Sequence, residues 1–150
     1  MDPLSIASGV AGLVGLAIQI APSLHAFFQD VKDAKADVDR YVSEVISLHE
    51  VCQQLHVFLK TDAAARDGQF ETTQSVLSRT VLSCDECLRE LAHMLKSPTG
   101  WSRKMKWPIY KKRVEAVIQR LGRYTQVFQF SLTLEGWCVL VNCLFTCSGH

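Results

Sequence analysis

A chain of 150 residues, 48% of them hydrophobic, is one domain's length and can fill a core, which excludes intrinsic disorder as its main state. With 16 Lys and Arg against 15 Asp and Glu the net charge is +1, so the chain as a whole lacks the positive excess of a nucleic-acid binder. Six cysteines without a recognisable secretory leader point to free thiols in a reducing compartment, and no structural disulfide is expected.

Residues 1–28 hold a single formal charge, Asp2, and glycine recurs at Gly9, Gly12 and Gly15. Asp2 followed by Pro3 reads as an N-cap and a favoured first helical residue, so a helix is expected to start there. Around a 3.6-residue turn Leu4, Ile6, Val10, Leu13, Val14, Leu16, Ile18 and Ile20 point in every direction, so this helix is expected to be surrounded by other helices or by lipid. Pro22 has no amide proton to give Ile18, which predicts a kink or break near Ala21. A secretory leader is disfavoured by Asp2 and by the lack of Lys or Arg before the apolar run. Residues 4–28 would reach about 37 Å, enough for a bilayer core of roughly 30 Å. Against a constitutive span stand the glycines, Pro22 and the polar Ser5, Ser8, Gln19 and Ser23. The other readings are a central bundle helix in which Gly9, Gly12 and Gly15 are packing residues, and a helix sheltered at rest and released into membrane.

In residues 30–60, Val31, Ala34, Val38, Tyr41, Val45, Leu48, Cys52, Leu55 and Leu59 alternate in steps of three and four. That is a heptad seam free of charge, with Lys32, Asp33, Lys35, Asp37, Asp39, Arg40 and Glu44 off it, as a long bundle helix requires. Residues 61–68 read as a turn closed by Gly68. A third helix is predicted over residues 72–96, with Leu77, Val81, Cys84, Leu88, Leu91 and Leu95 on its apolar face, ended by the turn chemistry of residues 97–100.

Residues 101–113 then carry six basic residues and no acid: Arg103, Lys104, Lys106, Lys111, Lys112 and Arg113, interleaved with Trp101, Trp107 and Tyr110. Basic and aromatic residues together suit contact with anionic lipid headgroups, and equally a solvated loop whose tryptophans close the end of a bundle. Pro108 is expected in the first turn of a fourth helix with Val114, Val117, Ile118, Leu121, Tyr124, Phe128 and Leu132 buried, ending near Leu134. The predicted fold is all-α, a four-helix or slightly larger bundle with a hydrophobic N-terminal helix. Residues 1–134 would form it, and 135–150 an apolar, cysteine-rich tail without clear periodicity.

Nothing in the chain announces catalysis. There is no GxxxxGK[ST] phosphate loop, no nucleophile beside a base and no carboxylate pair, so no catalytic or cofactor-binding residue is assigned and no enzyme is expected. Cys84 and Cys87 form a CxxC, but within a helix and without a second pair at zinc spacing, which favours two core residues. His49, Cys52 and His56 lie one turn apart and would join them in a metal site only if the two helices faced each other; no metal is expected.

The stretches MDPLSIASGVAGLVGLAIQI, VKDAKADVDRYVSEVISLHEVCQQL and WPIYKKRVEAVIQRLGRYTQVFQFSL resemble the HeLo-like N-terminal domains of fungal STAND proteins, the NLR-like receptors of filamentous fungi. That group is also named after the N-terminus of an azaphilone pigment cluster protein. The resemblance covers residues 2–134, and the opening and Trp107-Pro108 are its most specific parts. It implies a non-enzymatic effector module whose N-terminal helix (Leu4, Ile6, Val10, Leu13, Val14, Leu16, Ile20) enters or docks on the plasma membrane after oligomerisation and causes cell death, as in heterokaryon incompatibility and innate immunity. Trp101, Arg103, Lys104, Lys106, Trp107, Lys111, Lys112 and Arg113 would then meet the anionic leaflet. The expected partners are membrane lipids and other helices, self-association included, with no nucleic acid and no small-molecule substrate, in a cytoplasmic protein recruited to the plasma membrane. The alternative is a helical interaction module without membrane activity. The receptors' nucleotide-binding domain and repeats do not occur in the 150 residues, which leaves an isolated effector module or a truncated relative as readings.

Overall fold

The apolar spacings become four helices in the computed structural model: α1 (Pro3–Phe28), α2 (Lys35–Lys60), α3 (Phe70–Leu95) and α4 (Gly100–Cys147). The structure describes residues 3–29, 31, 34–60, 70–96 and 100–147, with side chains placed for 5–29, 31, 34–60, 74–96 and 107–134. Asp2 and the turns at 61–68 and 97–99 therefore lie outside the described residues.

Directions follow from side-chain pairings. The Ala7 carbonyl meets His56 Nδ1 at 3.1 Å while Phe28, at the other end of α1, lies 6.2 Å from the Tyr41 ring, so α1 and α2 are antiparallel. Tyr41 pairs with Glu115 and Asp37 with Lys111, which makes α2 and α4 parallel. Cys87 Sγ donates to the Val117 carbonyl while Val76, eleven residues earlier on α3, shares a groove with Phe130 and Leu134, so α3 and α4 are antiparallel. The packed pairs α1/α2, α2/α4, α4/α3 and α3/α1 close a ring. Helices α2 and α3 follow each other in sequence yet occupy a diagonal.

The seam of α2 is buried at every described position except Val31, which is half-buried, and Val42 and Val51 join it. The apolar face of α3 is buried with Cys87 and Met94 added, and so are Val114, Val117, Ile118, Leu121 and Phe128 of α4, flanked by half-buried Tyr124 and Leu132. Each such Leu, Ile or Phe removed from water contributes about 1.5–3 kcal/mol, which is why the heptad spacing outweighs local propensity.

Three boundaries differ from expectation. Helix α1 runs through Pro22 without a break, and α4 begins eight residues before Pro108 rather than at it. Both prolines are on exposed faces, where the carbonyl freed by the missing amide can turn to water. Helix α4 also continues through Leu134 and Gly136 to Cys147, so the basic stretch and most of the tail are helical, and α4 is 48 residues long.

Candidate functional site

Helix α1 is not enclosed on all sides, as its sequence suggests. Ile6, Val10, Leu13, Ala17, Ile20, Leu24, Phe27 and Phe28 are buried, a stripe at steps of three and four facing α2 and α3, with Val14 and Leu16 half-buried along its margins. The opposite face carries Ser8, Ala11, Gly12, Gly15, Ile18, Gln19, Pro22, Ser23 and Ala26, all exposed, with Ile18 at 55%. The stretch Ser5–Phe28 is long and apolar enough to cross a membrane, and only 33% of its most apolar window is buried. Among the described residues it is the single helix with that property. Core helices that pass the same test are mostly buried; this one is mostly open. The side chain of Leu4 lies outside the described residues.

The three glycines divide. A Cβ on Gly9 would come within 2.7 Å of Val81 Cγ1, so Gly9 lets α1 approach α3. At Gly12 and Gly15 a Cβ would meet nothing within 4 Å, so the packing role expected of them is not exercised inside the bundle. Both belong to the open face.

The basic-aromatic stretch lies at the other end of α1 from its N-terminus. Trp107 stacks edge-on against Phe28 with ring centroids 4.5 Å apart, and Phe27, Phe28 and Tyr41 complete an aromatic cluster there. Lys112 and Arg113 are exposed, whereas Lys111 is held by Asp37 at 3.2 Å. The side chains of Trp101, Arg103, Lys104 and Lys106 lie outside the described residues, on the same helical backbone.

Across α2 and α4, Glu115 accepts from Arg40 and, at 2.8 Å, from the Tyr41 hydroxyl. Burial, and then the Glu115 carboxylate, push the Tyr41 phenol well above its ordinary value. Cys52, Cys84 and Cys87 are buried free thiols. Burial pushes Cys52 up to about 12 and raises Cys84 and Cys87 as well, so all three are protonated and unreactive at neutral pH. No three His, Cys, Asp or Glu side chains come together among the described residues; His56 is directed at Ala7 instead.

A family model described as pigment biosynthesis cluster protein PigL N-terminal matches residues 1–113, three-quarters of the chain. The chain belongs to this PigL N-terminal family. A relative, azaphilone pigments biosynthesis cluster protein L of Monascus ruber, is 30% identical over 95 residues, 61% of this chain. The chain covers 19% of that relative's length. No solved structure matches. The family match takes in the first three helices of this PigL N-terminal domain and the basic start of α4, and stops where α4 begins to contribute to the core.

Sequence reasoning missed the sidedness of α1, although the small and polar residues from Ser8 to Ala26 recur on one face. It missed the Arg40–Tyr41–Glu115 cluster and the exposed Val76, Phe130 and Leu134, which local periodicity cannot reveal because they join different helices.

Proposed function

We propose that this chain is a non-enzymatic effector module of an NLR-like protein, which targets membranes through α1 after self-association and causes cell death. The observation that carries the reading is the open, uncharged outer face of the one described helix able to span a bilayer. Magnitudes decide how it would work. Exposing the large apolar side chains on the buried face of α1 to water would cost roughly 10–20 kcal/mol, more than the whole stability of a typical domain at about 5–15 kcal/mol. Helix α1 therefore does not leave the bundle for solvent. It meets lipid first through Ala11, Gly15 and Ile18, and its inner face leaves only as acyl chains replace α2 and α3. Lys112, Arg113 and the basic residues before them supply attraction to an anionic leaflet, about 1 kcal/mol each, and Trp107 and Phe28 put aromatic rings at the same end.

Flotation with phosphatidylcholine vesicles, with and without phosphatidylserine, tests this. Leu13 is buried, so a charge there would unfold the bundle; Ile18→Glu changes only the outer face. The wild-type chain is expected to float with the anionic vesicles and Ile18→Glu to stay at the bottom. Equal flotation of the two, or none of either, contradicts the reading.

A further inference from the structure

Helix α4 outreaches its neighbours. Its 48 residues span about 72 Å against about 39 Å for the 26 of α2 or α3, at 1.5 Å per residue. Tyr41 is level with Glu115 and Cys87 with Val117. Carrying those registers along the helices puts both Lys60, where α2 ends, and Phe70, where α3 begins, beside about residue 134 of α4. The helical backbone of 135–147 thus runs about 20 Å beyond the described ends of α2 and α3, and from Gly136 to Cys147 it carries no formal charge. An isolated apolar helix of that length is marginal in water and a liability for association.

Directly beneath the projection, α3 and α4 leave an apolar groove lined by Val76, Arg123, Val127, Phe130 and Leu134. Val76, Phe130 and Leu134 are 50%, 65% and 41% exposed, three large apolar side chains on adjoining helices that stand open together. The groove runs from 123 to 134, about 17 Å along α4, and the uncharged projection from 137 to 147 is about 15 Å.

From this match of length and apolarity, in two consecutive stretches of one helix, we propose that two copies of the chain pair through α4. The helices run antiparallel about a twofold axis near residue 135, and each projection lies in the other copy's groove. The arrangement is self-complementary and closes at two copies. The paired stretch 123–147 is about 36 Å long, enough for an interface of standard size, about 800 Å² per partner. A second copy suits this surface better than a lipid leaflet. The cluster of six basic residues that would hold an anionic leaflet ends at Arg113, about 36 Å along α4 from residue 137, and between them α4 carries just Arg120 and Arg123 as basic residues.

The test is light scattering of the full chain during size exclusion, at high micromolar concentration, in reducing, lipid-free buffer, so the membrane reading has no part in the outcome. The expected mass is twice the 16.8 kDa of one chain. Phe130→Arg and Val76→Arg, both at exposed positions and so compatible with unchanged helical circular dichroism, are each expected to weaken the dimer about tenfold or more, 1.4 kcal/mol. Ile18→Glu is expected to leave it intact. A 16.8 kDa wild-type mass, a dimer indifferent to both arginine variants, or a dimer lost in Ile18→Glu but kept in Phe130→Arg would each overturn the proposal.

Discussion

The glycines of α1 show how much a single atom decides. Gly9 lies where a Cβ would press to 2.7 Å on Val81, a buried β-branched side chain with little rotamer freedom, while Gly12 and Gly15 look onto open space. Replacing an unconstrained helical glycine by alanine gains about 0.5–1 kcal/mol, whereas forcing a methyl into a filled contact costs about 1–3 kcal/mol. Urea denaturation is expected to show Gly12→Ala and Gly15→Ala more stable than wild type and Gly9→Ala less. All three shifting the same way would mean that α1 does not rest on α3 as described. Sequence pattern found the glycines but could not sort them, because spacing along one helix says nothing of which neighbour stands opposite each.

At the scale of elements the pattern was far more telling. The seam from Val38 to Leu59 and the face from Leu77 to Leu95 are buried as their spacing requires, because a residue every third or fourth position can satisfy only one side of a helix. Helix α1 misled for the same reason in reverse: with almost no charge to mark a wet side, Ile18 and Leu16 could not be told from Leu13. Pro22 does not break α1 and Pro108 does not open α4, since backbone rules apply to a helix in isolation and tertiary packing carries both helices through their prolines. Burial of thiols on α2 and α3 gives these elements a pH signature. The thiols of Cys52, Cys84 and Cys87 titrate near 9 when unfolded and higher in the fold, which therefore keeps protons that the unfolded chain loses. Their contribution is complete below pH about 9 and falls as pH rises above it, for Cys52 until about 12, by up to about 1.4 kcal/mol per pH unit. The urea midpoint should drop between pH 7.5 and 10, and less so in Cys52→Ala. An unchanged midpoint would mean that these thiols are not buried in the core.

For the whole molecule, the bundle supplies α1 with only half an enclosure. Two helices cover its inner face, and the ring order α1–α2–α4–α3 leaves the outer face open. The parallel course of α2 and α4 puts the basic stretch at the Phe28 end of α1. A sequence could not show this, because ring order and direction depend on contacts between distant residues such as Tyr41 and Glu115. Release of a trapped dye from phosphatidylserine-containing vesicles tests the central claim most directly, since it asks whether α1 enters the bilayer. Wild-type protein is expected to release the dye, while Ile18→Glu, folded as judged by circular dichroism, is expected to leave the vesicles sealed. Equal release by both, or by neither, would contradict a membrane role for the open face of α1.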